Sequence, residues 1–338
     1  MQIIKKLASK EKDLTFMELM EILSIEHDIC TAAQLMKDYC LRTSSLDIQK
    51  KGMEFLYMNG YGQELMKLIE KNRMSHHPSN REWAEVYQII VDRKLDKHPP
   101  QKIIERFNQI KTSDPELIAI IEISKVSSYV DMHRFAELGD FLDKYEQWFI
   151  QIEDQAFLSY LQIRLDLILM YHYLSRNLVI LSRRCANRLL NRKNISPYIR
   201  LSAHTHLGFS YLFDSYAASM THMQKALQIA KEHDYKRAIN VFKNRNIPFI
   251  AAHFKQVDNM TTNDKSEQAH IEIAKGNNKR AIEILSEIPL DTPFKLYYMG
   301  KAKQDEDLLH EAAIQFIEKR SDHFFSRLPL NELAFLSG

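Results

Sequence analysis

The sequence has little glycine, proline or cysteine for its length. Its 338 residues include only 8 glycines, 9 prolines and 3 cysteines. Low glycine and proline contents argue against a protein of strands and tight turns, and they favour helices joined by short connections. The three cysteines, Cys30, Cys40 and Cys185, lack C-x-x-C spacing, so they suit a reducing cytoplasm better than a disulfide framework.

Long apolar runs and an excess of one charge are absent as well. No run approaches the roughly 18 apolar residues of a membrane helix, and the N-terminal segment lacks the apolar core of a signal peptide. The formal net charge is only +2, so nucleic-acid binding would have to come from a local patch. We therefore expect a cytoplasmic protein without a membrane partner.

Motifs of common catalytic and cofactor sites are missing too. The sequence contains no glycine-rich phosphate loop, no HExxH and no GxSxG. His76 and His77 are adjacent, so their side chains diverge, and His204 and His206 face different directions on a helix. We therefore predict no metal site, no cofactor and no enzyme.

What the sequence does contain is the spacing of tetratricopeptide repeats. Gly300 lies twelve residues before Ala312, which lies four residues before Phe316. Small residues at such positions let two antiparallel helices approach closely, and the large residue fills the space beside them. Gly208, followed by Met223 on a second helix, repeats the pattern. Because one helix pair cannot bury both of its faces, the sequence predicts an all-α, tetratricopeptide-like helical-repeat solenoid.

Helix-start signals divide the chain into segments of helical length. A capping box or a proline in the first turn marks where a helix begins. The signals are Thr15 with Glu18, Ser79 with Glu82, Asp114 with Pro115, and Ser196 with Pro197. No alternating apolar and polar run is long enough to predict a strand.

Three stretches resemble the AimR arbitrium receptors, which temperate phages use to choose between lysis and lysogeny. They are LMKDYCL at Leu35–Leu41, EQAH at Glu267–His270 and SDHFFSRLPL at Ser321–Leu330. The resemblance covers nearly the whole chain at low identity. It implies an N-terminal helix-turn-helix followed by a solenoid that binds a secreted hexapeptide with Arg-Gly near its C-terminus.

The resemblance also implies a domain organisation. Residues 1–30 correspond to a remnant of the DNA-binding region, because the family carries more residues before Thr15, and residues 31–338 correspond to the peptide-binding solenoid. The candidate DNA-binding residues are Lys5, Lys6, Lys10 and Lys12. A DNA operator and a homodimer are implied as partners, although the C-terminal tail that helps the family to dimerise would lie beyond Gly338.

The resemblance further implies a peptide-binding site. Asp322 and Phe324 match the family's pattern, and a carboxylate such as Asp322 can form a charge-assisted pair with a peptide arginine. At other pocket positions this chain departs from the family, which has asparagines or an arginine there. The further candidates are His172, Arg176, Tyr198, Phe209, Ser266 and Glu267.

The leading prediction is therefore an arbitrium peptide receptor and transcriptional regulator of the lysis–lysogeny decision. The alternative is a helical-repeat protein–protein adaptor that has lost peptide and DNA binding, which the short N-terminus and the changed pocket would favour.

Overall fold

The computed structural model describes residues 14–192 and 195–337, and in these ranges the regular structure is helical with no strand. The predicted all-α repeat fold is thereby confirmed. The most extensive packing joins helices that follow each other in the chain, as stacked helical repeats require. Lys5, Lys6, Lys10 and Lys12 lie outside the described residues, so their role stays a prediction.

The chain divides into two compact units. The first takes in the described residues up to His133, together with Glu137–Ile168 and Asn191–Ser196. Its helices are α1 (Phe16–Glu26), α2 (Ile29–Arg42), α3 (Leu46–Met58), α4 (Gly62–Arg73), α5 (Pro78–Lys94), α6 (Pro100–Gln109), α7 (Pro115–Asp131), α8 (Ala136–Leu142), α9 (Tyr145–Phe149) and the first part of α10 (Gln155–Ser175).

The interior of the first unit contains an ion pair. Glu54 is fully buried, and its carboxylate accepts two hydrogen bonds from Arg164, at 2.7 Å from Nε and 2.6 Å from Nη2. The hydroxyl of Tyr87 donates a third bond to Glu54 over 2.8 Å. Arg164 stands out in the sequence as a charge within an apolar helix, and this bidentate pairing satisfies it.

The second unit consists of Arg134–Ala136, Leu169–Leu190 and the residues from Pro197 onward. It contains the end of α10 and then α11 (Val179–Leu190), α12 (Pro197–Ser210), α13 (Tyr216–Glu232), α14 (Lys236–Val241), π1 (Phe242–Asn246), α15 (Ile247–His253), α16 (Lys265–Ala274), α17 (Asn278–Ser286), α18 (Pro293–Lys303), α19 (Glu306–Ile314), π2 (Gln315–Lys319) and α20 (Arg327–Ser337). Every predicted peptide-binding residue lies in this unit.

The two repeat glycines lie where neighbouring helices touch. A Cβ added at Gly208 would come within 2.8 Å of the Met223 side chain, and one at Gly300 would come within 3.1 Å of the Leu309 backbone nitrogen. Real Cβ atoms essentially never come as close as 2.8 Å, and 3.1 Å is tighter than most of their contacts, so the lack of a side chain lets α12 lie close to α13 and α18 close to α19. The spacing identified in the sequence thus marks real helix contacts.

The helix-start predictions have mixed outcomes. The Thr15–Glu18 capping box is present, and Asp114 caps α7 with Pro115 in its first turn. The predicted box at Ser79 and Glu82 is wrong, because α5 already begins at Pro78. The N–H of the first helical residue has no partner within a helix, so proline, which lacks this N–H, suits that position. Helix α5 starts in this way, without a side-chain cap.

Candidate functional site

The segment from Arg320 to Arg327 carries the residues that resemble the family's pocket. It follows π2 through Ser321, a non-glycine residue in the left-handed region with φ of 52°. The Asp322 N–H then donates to the Phe316 carbonyl over 2.9 Å, and the His323 N–H donates to the Ser175 carbonyl over 2.7 Å. These two bonds fix the segment beside the C-terminal end of α10.

Asp322 is a buried carboxyl group within this segment. Its side chain is 5% exposed, and its Oδ1 accepts the Phe325 N–H over 3.0 Å. Burial raises the pKa of Asp322 to about 6, while the Phe325 N–H and the nearby Arg320 charge act in the opposite direction. Asp322 therefore caps a turn before α20, and a ligand cation that reached its carboxyl group would favour the ionised form.

Aromatic residues follow Asp322 in the chain and pack against other aromatic rings of the unit. Phe324 is 1% exposed, and its ring packs edge-on against Phe213 with centroids 5.2 Å apart. Phe209 is only partly buried, and its ring contacts Phe325 at 5.8 Å and Phe249 at 6.2 Å. The structure thus brings Phe209 to the Asp322 segment, whereas Phe324 lies in the core beneath it and has almost no surface for a ligand.

The end of α10 contributes polar groups to the same region. His172 lies in the last turn of α10 and is partly buried, and Arg176 follows that helix and is exposed. Because Ser175 is bonded to His323, both residues lie near the Asp322 segment. The helix dipole favours a basic side chain at a helix C-terminus, which is the position of Arg176.

Ser266 and Glu267 lie at the start of α16 and have local partners. The Ser266 hydroxyl donates to Asp264 over 2.6 Å, which is part of the helix cap. Glu267 is 8% exposed and accepts the Tyr298 hydroxyl over 3.1 Å. Burial raises the pKa of Glu267 to about 8, so it is largely neutral at pH 7.

Glu267 connects to the aromatic cluster through a histidine. Its Oε2 lies 3.5 Å from Nδ1 of His270, whose ring stacks on Tyr298 at 4.3 Å and contacts Phe249 at 5.6 Å. Phe249 in turn contacts Phe209. Glu267 therefore lies behind the aromatic cluster rather than on its surface.

Tyr198 is separate from this cluster. It is 51% exposed and contacts Tyr235 with ring centroids 6.1 Å apart. Tyr198 is the second residue of α12 and Phe209 is near its end, so the helical rise places them about 16 Å apart along the axis. The structure brings Asp322, Phe209, His172 and Arg176 to one region and leaves Tyr198 at the opposite end of α12.

Two arginines of the segment are absent from the sequence-based candidates. Arg327 lies with its guanidinium 4.0 Å above the Phe213 ring and donates to Asn177 over 3.3 Å. Arg320 is partly buried, and its charge acts on Asp322. Arg327 lies within the SDHFFSRLPL stretch and Arg320 directly precedes it, so the family resemblance of this stretch could have pointed to both arginines. The region therefore combines one buried carboxyl group, an aromatic surface and several cations.

Two structural features are not found in the described part of the chain. There, no three or more His, Cys, Asp or Glu side chains are grouped so that they could hold a metal ion. None of the described helices has the length and apolar character needed to cross a membrane.

Comparison with known proteins identifies the family. The family profile described as AimR transcriptional regulator-like matches residues 32–334. The AimR transcriptional regulator of Bacillus phage SPbeta is 22% identical over 319 residues, which cover 89% of this chain and 80% of that protein. An uncharacterized protein of Bacillus anthracis, pXO2-35, is 28% identical over 256 residues, covering 72% of this chain and 91% of that protein.

A solved structure agrees with this assignment. The structure of phAimR with a ligand has a TM-score of 0.78 to this chain at 19% identity, and the match covers 96% of this chain and 99% of that one. The fold is thus shared over nearly the full length of both. These matches confirm the resemblance found in the sequence, and the chain belongs to the AimR transcriptional regulator-like family.

Proposed function

We propose that the second unit binds a short signalling peptide at the surface around Asp322, and that the chain acts as an arbitrium-type transcriptional regulator in the cytoplasm. The observation that carries the proposal is the buried Asp322 carboxyl group, in a segment that backbone hydrogen bonds fix and in which the Phe325 ring contacts Phe209. Such a group is costly to leave charged and unpaired, so a cationic ligand gains from pairing with it.

The chemistry of the site favours a peptide with an arginine near its C-terminus. A guanidinium can pair with the Asp322 carboxylate and stack on a neighbouring ring such as Phe209 or Phe325. Arg176, exposed at the end of α10, is a donor suited to the peptide carboxylate. A hexapeptide ending in Arg-Gly-Ala or Arg-Gly-Gly supplies both groups a few residues apart.

Calorimetric titration with a panel of XXXRGA and XXXRGG hexapeptides tests this proposal. The variant Asp322→Asn keeps an oxygen that can accept the Phe325 N–H but removes the charge. Because a hydrogen bond to a charged group contributes about 1.5–3 kcal/mol, we expect affinity to fall at least roughly tenfold. Asp258→Asn, an exposed aspartate of the same unit, is the matched control and should bind like the wild type.

Two outcomes would count against the proposal at different levels. Unchanged affinity in Asp322→Asn would remove Asp322 from the site while leaving the receptor assignment intact. No binding by well-folded wild-type protein across the panel would reject peptide binding and favour the adaptor predicted as the alternative.

We further propose that residues 1–30 contact an operator and that the regulator works as a homodimer. Lysines near the N-terminus would neutralise DNA phosphates, so replacing Lys5, Lys6, Lys10 and Lys12 by Gln should weaken DNA binding and flatten its salt dependence. Light scattering with and without peptide measures the oligomeric state. If the lysine variant bound DNA with the same affinity as the wild type, these four residues would not belong to the DNA interface.

A further inference from the structure

Helices α11, α12 and α13 of the second unit carry almost no acidic residues. Between Asp166 and Asp214 the sequence contains no aspartate or glutamate, and in these three helices the first acidic residue is Glu232, which ends α13. The basic residues of the same helices are Arg183, Arg184, Arg188, Arg200, Lys225 and Lys231. Because the whole chain has a net charge of only +2, these helices carry a local excess of positive charge.

Cations from all three helices lie around one pair of histidines. His204 on α12 and His222 on α13 have their Nδ1 atoms 3.0 Å apart, and the two side chains are partly exposed. Burial lowers the pKa of His204 to about 4, and the charges of Lys225 and Arg200 act in the same direction. Burial, Lys225 and Arg183 likewise lower the pKa of His222. The pair therefore lies among three cations, one from each helix.

Flat side chains continue from the histidine pair to α11. The His222 ring lies parallel to Tyr211, within 5°, with centroids 5.9 Å apart. The Arg183 guanidinium lies 3.7 Å from the centroid of the Tyr211 ring. Arg183 also donates to the Ser210 hydroxyl over 3.0 Å and pairs with Asp214. These contacts hold the side chains in place, and the carboxylate of Asp214 is already engaged by Arg183.

Arg200 and Lys225 have no such carboxylate partner. In the part of the chain that the structure describes, no hydrogen bond or ion pair joins either side chain to an aspartate or glutamate. Arg200 is partly buried and Lys225 is exposed. Like charges that are held near each other repel, so an anion bound between them would relieve this repulsion.

We propose that Arg200 and Lys225, together with the His204–His222 pair, form a binding site for a phosphoryl group. The phosphoryl oxygens would accept charge-assisted hydrogen bonds from both cations. The histidine pair adds a neutral donor, because the ring that accepts the bond between the two Nδ1 atoms carries its own proton on Nε2. A phosphoryl group offers more negative charge and more acceptor oxygens than a carboxylate, so it suits several converging cations better.

The proposed phosphoryl site is separate from the proposed peptide site. Because an α-helix has 3.6 residues per turn, Arg200 lies about 180° and His204 about 140° around the α12 axis from Phe209. Phe209 contacts Phe325 of the Asp322 segment. The phosphoryl group would therefore bind to the side of α12 that faces away from the Asp322 segment, and it can come from a nucleic-acid backbone or from a small phosphate compound.

Titration of the full-length protein with two probes tests the proposal. Inorganic pyrophosphate is followed by calorimetry, and a labelled DNA duplex of random sequence is followed by fluorescence anisotropy. We expect Arg200→Gln and Lys225→Gln each to weaken binding of the same probe roughly tenfold, the lower end of what a hydrogen bond to a charged group contributes. Lys231→Gln is the matched control, because it removes the same charge from an exposed position further along α13.

The probe that responds identifies the source of the phosphoryl group. One pyrophosphate bound per chain, and bound more weakly by both variants, would indicate a small phosphate compound. DNA binding that both variants weaken, without pyrophosphate binding, would indicate a nucleic-acid backbone, and the salt dependence of the DNA affinity should then fall by about 0.9 for each lost contact.

Three results would overturn the proposal. The first is that neither probe binds, or that Arg200→Gln and Lys225→Gln bind both probes like the wild type. The second is an equal loss of affinity in Lys231→Gln, which would show a general effect of charge. The third is tighter binding of an oligoglutamate peptide than of either phosphate probe, which would indicate an acidic protein partner instead.

Discussion

Breaking the buried Glu54–Arg164 pair should destabilise the first unit strongly. In the variant Arg164→Leu, the Glu54 carboxylate stays fully buried and keeps only the Tyr87 hydroxyl as a partner. Removing one partner of a buried ion pair typically costs about 3–5 kcal/mol, because an uncompensated charge remains inside. The variant also loses the contact of the Arg164 guanidinium with the Tyr57 ring at 4.6 Å, which adds to the loss.

A second substitution shows whether charge is the cause. Glu54→Gln in the Arg164→Leu background removes the buried charge and keeps an acceptor for the Tyr87 hydroxyl. We therefore expect the double variant to regain a large part of the lost stability. Arg73→Leu is the control, because that arginine forms an exposed pair with Glu70 in the same unit and such pairs contribute at most about 1 kcal/mol.

Tryptophan fluorescence during urea unfolding is a suitable assay. The chain has two tryptophans, Trp83 and Trp148, and both belong to the first unit. Trp83 is fully buried and stacks on Tyr87 at 6.0 Å, next to the ion pair. The transition midpoint of Arg164→Leu should fall well below that of the wild type. A loss under about 1 kcal/mol, or a double variant less stable than Arg164→Leu, would refute the reasoning.

Three further predictions concern the second unit. Gly300→Ala should lower the free energy of unfolding, because the new Cβ would meet the Leu309 backbone nitrogen at 3.1 Å. Overpacking typically costs about 1–3 kcal/mol, which exceeds the roughly 1 kcal/mol that alanine gains in helix propensity. A higher stability of the variant in urea unfolding would contradict this. The free energy of unfolding should fall by about 2 kcal/mol between pH 7 and pH 5 because of His206. Its pKa is about 4 in the folded protein and 6.5 in the absence of the fold, so the unfolded chain binds an extra proton in this range. His206→Gln should reduce this pH dependence, as measured by urea unfolding at both pH values. Affinity for an arginine-containing peptide should be highest above pH 6 and fall by up to about tenfold per pH unit below it. The reason is that the peptide arginine pairs with the ionised form of Asp322, whose pKa is about 6 in the free protein and lower in the complex. The same fall in Asp322→Asn, measured by titration calorimetry, would show that another group is responsible.

The fold was largely predictable because its signals are local. The glycine spacing around Gly300 and Gly208 records close helix contacts, and the caps at Thr15 and Asp114 depend on a few neighbouring residues. The error at Ser79 has the same origin. A capping box there was locally possible, but the adjacent Pro78 starts the helix, and Glu82 instead accepts a hydrogen bond from the Thr112 hydroxyl over 3.0 Å.

The site was only partly predictable because it depends on distant contacts. The family resemblance predicts Asp322 as a site residue, and that stays a prediction, but the sequence does not show that Phe324 turns into the core while its neighbour Phe325 stays partly exposed. The contact of Arg327 with Asn177 joins residues 150 positions apart. The facing of His204 and His222 likewise depends on the register between two packed helices, which no local pattern encodes.

The π2 segment, Gln315–Lys319, has a consequence for how the Asp322 segment tolerates changes in length. A π turn contains one residue more than the α-helical turn it replaces, and π2 continues directly from α19. Deleting one residue within π2 would restore an α-helical turn of nearly the same total rotation, so the segment that follows would keep its direction, and the bond from His323 to Ser175 should survive. Inserting one residue into the regular part of α19 would instead rotate everything that follows by about 100° and shift it by about 1.5 Å, so the same bond would lose its alignment. π2 is therefore a place where this helix tolerates a change in length without moving the Asp322 carboxyl group.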